Sequence, residues 1–101
     1  MKNDKLDINI KFCNKFYDRL LGLMFKKNIN YGLCFPRCNS IHTFFMLENI
    51  DVVMTDKNYK ILYIYKNLKP NKIILPKKNV HYTFELPANK FNLNVNEKIR
   101  I

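Results

Sequence analysis

From Gly32 onward the apolar residues fall into short runs, and turn-forming residues stop each run before it reaches helix length. "GLCF" ends at Pro36, and "NKIIL" is held between Pro70 and Pro76. "IDVVMTD" (50–56) and "YKILYIYKN" (59–67) flank the turn signal Asp56-Lys57-Asn58, and "VHYTFEL" ends at Pro87. β-branched and aromatic side chains fill these runs, as expected of strands buried on at least one face. The segments 50–56 and 59–67 should pair as a hairpin. "NKIIL" should lie at an edge, because proline cannot donate to a strand ladder. "IHTFFM" (41–46) reads as a central strand with His42, Phe44 and Met46 on one face, and "KIRI" (98–101) as a last short strand.

The first third reads differently. "LDINIKF" (6–12) alternates apolar and polar residues, the period of a strand with one wet face. From Cys13 to Phe25 the apolar residues follow i, i+3, i+4 spacing, which predicts a helix capped by Asn14. "KFNL" (90–93) is a candidate for a short second helical turn. The expected class is therefore α+β: a mainly antiparallel, curled, barrel-like sheet with one N-terminal helix. At 101 residues with 48% apolar composition, the chain forms one domain, 1–101, with a proper core.

The net charge is +10, carried by fifteen Lys and only three Arg, alongside fifteen Asn. A Lys- and Asn-rich surface is what an AT-rich genome supplies at neutral positions, whereas nucleic-acid sites favour the bidentate fork of Arg. A solvated basic face is favoured over a nucleic-acid or anionic-surface role. The candidate patch for that role is Lys57, Lys60, Lys66, Lys69, Lys72, Lys77 and Lys78. The start, "MKNDKLDINI", has no apolar run suited to a signal peptide. No stretch approaches the ~18 apolar residues of a membrane span. Three cysteines without a secretion signal point to reduced thiols and a cytoplasmic location.

Five short motifs occur in order and at consistent spacing: "DRLLGLMF" (18–25), "CNSIHTFFM" (38–46), "IDVVMTD" (50–56), "NLKP" (67–70) and "ELPA" (85–88). Together they resemble the prokaryotic domain-of-unknown-function family 192, also called uncharacterised protein family 0127, over roughly residues 6–101. The resemblance implies a compact α+β domain and no established activity. Where such domains usually place glycine, this chain has Tyr59, Asn89 and Asn96-Glu97. Asparagine is the non-glycine residue that best tolerates a left-handed backbone, so those turns can be kept.

Candidate chemistry centres on Cys34, Cys38 and His42, spaced four apart. Residues four apart in a strand lie about 13 Å apart, too far to share one zinc ion, and Pro36 opposes a helix that would bring the sulfurs together. No metal and no cofactor is expected. Cys34 reads as a small buried hydrophobe. Cys38, next to Arg37, could act as a thiolate with His42 as its base, which makes a thiol enzyme the alternative reading. Asp51 sits in an apolar strand and needs a cation or several donors, with Arg19 as the expected partner. The favoured function is a non-enzymatic binding or accessory module. Its shallow pocket is expected to be bordered by Arg19, Cys38, His42 and Asp51, with Glu85 as a lesser member. A small molecule or a protein is the expected partner.

Overall fold

The computed structural model describes residues 3–15 and 21–100. Their elements are nine strands: β1 (Asn3–Lys5), β2 (Ile10–Phe12), β3 (Gly32–Pro36), β4 (Ile41–His42), β5 (Ile50–Thr55), β6 (Ile61–Leu68), β7 (Ile73–Ile74), β8 (Tyr82–Pro87) and β9 (Lys98–Arg100). The main sheet has five strands in the order β2-β3-β8-β5-β6. β2 runs parallel to β3, and the other neighbours are antiparallel. β1 pairs with β9 in parallel and β4 with β7 antiparallel, as separate two-stranded ribbons.

This architecture corrects the expected α+β barrel. The sheets are open and mixed, and the strand order does not close on itself. Leu21 is helical, but no helical element lies wholly within the described residues. The helix expected over 13–25 fails at both described ends. Cys13 continues the course of β2, donating its N–H to the Cys34 carbonyl at 2.8 Å. Residues 22–25 form a turn, with Gly22 at φ 50° and Phe25 at φ 62°, both incompatible with a right-handed helix. Residues 16–20, the middle of that expected helix, lie outside the described residues. No helical turn forms over 90–93 either, and the Phe91 carbonyl accepts from Lys66 Nζ at 2.9 Å.

The strand expected over 41–46 stops at His42. Thr43 is buried and fastens this segment to the loop before β7. Its hydroxyl donates to the Lys69 carbonyl and accepts from the Lys72 N–H, both at 2.8 Å. Its own N–H reaches the Lys72 carbonyl at 2.8 Å. The chain then reverses at Phe44-Phe45, where Phe45 has φ 63°. The Lys72 N–H that a longer ladder would pair with the Thr43 carbonyl is taken by the Thr43 hydroxyl instead, and the strand ends there.

The hairpin between β5 and β6 forms as the turn signal predicts. Asp56 Oδ1 accepts the N–H groups of Asn58 and Lys60 at 2.8 and 3.0 Å, an Asx turn that starts the reversal. Tyr59, Asn89 and Asn96 all have positive φ. In a chain with two glycines, asparagine carries most of the left-handed turns: six of the ten positive-φ residues other than glycine are Asn, among the described residues.

The central strands are buried on both faces, so the domain has two core clusters. On one face Leu33, Phe35, Ile50, Val52 and Met54 pack with Leu23 and Met46. On the other, Cys34, Val53, Phe84 and Leu86 pack with Leu6, Ile61 and Ile99. Each such side chain, fully withdrawn from water, contributes about 1.5–3 kcal/mol. A register shift beside Asp51 breaks the regular β5–β6 ladder. The Asp51 carboxylate fills the gap, accepting the Asn67 N–H at 2.7 Å and the Asn89 N–H at 3.1 Å. Lys66 Nζ stands 3.4 Å from it.

Asp51→Ala should therefore lower unfolding free energy by about 2–4 kcal/mol, because two amides lose their acceptor. Lys66→Met, at a half-exposed cation, should cost less than about 1 kcal/mol. Urea denaturation of the two variants measures both.

Candidate functional site

The register of β8 decides where its polar residues point. Glu85 lies opposite Val52 on β5 and Leu33 on β3, while Phe84 lies opposite Val53 and Cys34. Directly opposed residues share a face, so Glu85 enters the cluster containing Val52 and Leu33. The turn at 21–25 covers it. Gly22 comes so close that a Cβ there would stand 3.1 Å from Glu85 Oε1 and 3.5 Å from the Phe35 ring. Its positive φ and this close approach both call for glycine.

Glu85 is 5% exposed, and its Oε1 has no hydrogen-bond partner among the described residues. Burial pushes its carboxyl up to about 8, opposed by the backbone N–H of Leu23, which stabilises the charged form. At neutral pH the side chain is mostly a carboxylic acid, with an O–H to donate and oxygens that accept.

A cavity of about 120 Å³ opens beside this acid. Leu21, Leu23, Met24, Phe35, Ile41 and Met46 supply its apolar walls, and Cys38, Ser40, His42 and Glu85 its polar groups. Cys38 is carried there by a loop that folds back on β8. Its N–H donates to the His81 carbonyl at 3.1 Å, and its carbonyl accepts from Thr83 Oγ1 at 2.8 Å. The thiol donates to the Ser40 carbonyl at 3.1 Å. His42 Nδ1 accepts the Phe44 N–H at 3.2 Å, and its ring stacks on Phe44 with centroids 5.2 Å apart. Nε2 is the nitrogen left for a ligand.

Of the residues singled out in the sequence, Cys38, His42 and Glu85 meet in this cavity. Asp51 does not. It lies opposite Leu86, one residue out of phase with Glu85, and so occupies the other face. Arg19 lies outside the described residues. Cys34 also belongs to the other face, opposite Phe84, where burial pushes its thiol up to about 12. Among the described residues no group of three or more His, Cys, Asp and Glu side chains could hold a metal ion.

The seven lysines of the basic span are spread over several surfaces. Lys66 serves Asp51 and the Phe91 carbonyl, while Lys77 stands 5.8 Å above the Tyr63 ring. Lys60 bridges to Lys98. Lys69 and Lys72 sit in the loop tied to Thr43, and Lys57 and Lys78 are exposed on turns.

Glu85 is more central than its sequence suggests, and Gly22, Ser40 and Met46 enter the site beside it. In "VHYTFEL" the polar phase is Thr83 and Glu85, which reads as the wet face of a strand. It is dry because β8 is the middle strand of the sheet. The one available signal was Gly22 beside an apolar run, marking a close backbone approach.

Fold and site together define a small, nearly all-β domain: a mixed five-stranded sheet carrying a buried acid beneath a glycine turn. The chain belongs to the DUF192 family of uncharacterised proteins, whose pattern matches residues 1–101. It is 41% identical over 92 residues to a UPF0127 protein of Pyrococcus horikoshii, covering 85% of this chain and 78% of that protein. It is 37% identical over 85 residues to a UPF0127 protein of Thermococcus sibiricus, covering 78% of this chain and 54% of that one. A crystal structure of a protein of unknown function from Novosphingobium aromaticivorans shares the fold, with a TM-score of 0.72 at 13% identity. That match covers 81% of this chain and 64% of the other. The chain thus spans about half the length of the Thermococcus protein. No helix among the described residues is long and apolar enough to cross a membrane.

The folded state holds the Glu85 proton more tightly than the unfolded chain, whose carboxyl titrates near 4.5. This contribution to stability is complete below pH 4.5 and is lost as pH rises to about 8. Within that window the slope approaches about 1.4 kcal/mol per pH unit. Glu85→Gln, which keeps a neutral hydrogen-bonding group, should flatten the slope. Denaturant unfolding at several pH values between these limits checks this.

Proposed function

We propose that the chain is a non-enzymatic binding module that takes a small, mainly apolar ligand into the cavity beside Glu85. The neutral carboxyl anchors the ligand's polar end. One observation carries this reading: Glu85 Oε1 is buried without a hydrogen-bond partner among the described residues, at the wall of an open cavity. Buried polar atoms are almost always paired, and an exception in a residue that lines a cavity favours a polar partner entering there. Ligand cavities for drug-sized molecules run from about 300 to 1,000 Å³, so about 120 Å³ suits only a handful of heavy atoms. Free cysteines at 13, 34 and 38 fit a reducing cytoplasm.

A thiol enzyme is the second reading, because Cys38 and His42 line the same cavity. Against it, the Cys38 thiol is already spent on the Ser40 carbonyl and His42 Nδ1 on the Phe44 N–H. Alkylation by iodoacetamide at neutral pH separates the two. The binding reading expects Cys38 to react at an ordinary thiol rate that His42→Ala leaves unchanged. A rate enhanced at least ~100-fold and lost in His42→Ala would establish the thiol enzyme instead.

Ligand binding is tested by NMR titration with short-chain amides, alcohols and carboxylates at millimolar concentration. Amide shifts should cluster at 21–24, 38–42 and 85 and weaken about tenfold or more in Glu85→Leu. Shifts scattered over the surface, or equal shifts in the variant, would remove the reading.

A further inference from the structure

The turns at 22–25 and 44–45 and the end of β7 leave large apolar side chains in water. Phe25, Phe45, Ile73 and Leu75 are 63%, 61%, 59% and 69% exposed, and Phe44 lies beside them. The turns are tied together. Phe25 donates its N–H to the Phe45 carbonyl at 3.0 Å, and the two rings stack with centroids 5.6 Å apart. Thr43 fastens the Phe44-Phe45 turn to the 69–72 loop that leads into Ile73.

Phe25 and Phe45 also stand at φ 62° and 63°, a backbone conformation costly for a bulky side chain. Asparagine holds most other such positions in this chain. Phenylalanine here increases strain and gains little burial, so packing does not account for it. Lysine flanks the apolar residues along the chain: Lys26 and Lys27 follow Phe25, and Lys69 and Lys72 precede Ile73, all four exposed. Glu48, the nearby acid, is engaged by the N–H groups of Asn28 and Ile29.

We infer that the exposed apolar surface of Phe25, Phe45, Ile73 and Leu75, flanked in the chain by lysine, docks the domain on an anionic lipid bilayer. The occupant follows from the chemistry of the ridge. Apolar side chains standing on turns enter the acyl boundary, while lysines on flexible stems reach the headgroups. Protein interfaces share the aromatic content of this surface but are depleted in Lys, and four exposed lysines stand beside it in the chain. A second copy is disfavoured, since two chains of charge +10 would meet through their basic rims. Each lysine near an anionic leaflet is worth about a fivefold gain in binding. The surface adjoins the Glu85 cavity through His42, which pairs with Ile73 and stacks on Phe44, but none of Phe25, Phe45, Ile73 and Leu75 lines that cavity, so the inference stands whether or not it binds a ligand.

Co-sedimentation with large unilamellar vesicles tests it, comparing pure phosphatidylcholine with a phosphatidylcholine–phosphatidylglycerol mixture. The protein should pellet with the mixture, stay in solution with phosphatidylcholine alone, and release as salt is raised. Phe25→Asn combined with Phe45→Asn should weaken binding at least ~tenfold while leaving thermal stability equal or higher, because asparagine accepts the same φ. Lys69→Ser with Lys72→Ser, which leaves the turns alone, should weaken it about 25-fold. Absence of wild-type binding to the mixture would overturn the proposal. So would equal binding by both variants, capture by an acidic polypeptide in place of vesicles, or dimerisation through the ridge in sedimentation velocity.

Discussion

The antiparallel contact between β5 and β8 organises this molecule. It joins six consecutive residue pairs, from Ile50 with Pro87 to Thr55 with Tyr82. It also lies inside the sheet, with β3 on one side and β6 on the other. Core clusters also cover both faces of these strands, so every side chain they carry must be satisfied without bulk water. Val52, Val53, Phe84 and Leu86 meet that demand by packing. Asp51 and Glu85, the two carboxylates caught in the arrangement, meet it in opposite ways.

Asp51 lies where the β5–β6 ladder is interrupted, and it replaces missing ladder acceptors for Asn67 and Asn89. Its charge is shared with two backbone dipoles and Lys66, so the residue is structural. Glu85 lies in regular ladder on the opposite face and receives only the Leu23 N–H from the turn above. Burial of a carboxyl so poorly compensated favours its neutral form. One residue of register separates a carboxylate that closes a structural gap from an acid that faces a cavity.

The two unusual turns around the cavity share a physical origin. Gly22 lets backbone approach the acid, and Thr43 diverts the chain at 44–45 toward the 69–72 loop. Together they leave room over Glu85 and push Phe25 and Phe45 outward into contact with each other. Cavity and apolar ridge are two sides of the same pair of turns, although each carries a different chemistry.

Local chemistry was legible in the amino-acid sequence. The hairpin at 50–67 could be read from its β-branched and aromatic runs and from the turn signal Asp56-Lys57-Asn58, and the left-handed turns at Tyr59, Asn89 and Asn96 from the missing glycines. The family could be read from five motifs in register. The expected helix does not reach its described ends at 13–15 and 22–25, because helical spacing of apolar residues says nothing of the φ that Gly22 and Phe25 adopt. The strand over 41–46 was overextended, because the partners that hold Thr43 lie about thirty residues further along the chain. By itself the sequence determined the hairpin at 50–67 and the left-handed turns at asparagine, since those depend on neighbours. Only the tertiary structure decided that β8 lies in the middle of the sheet, and with it that Glu85 is buried beside a cavity while Asp51 serves the opposite face. Strand order depends on contacts between residues far apart in the chain, and no local pattern encodes them.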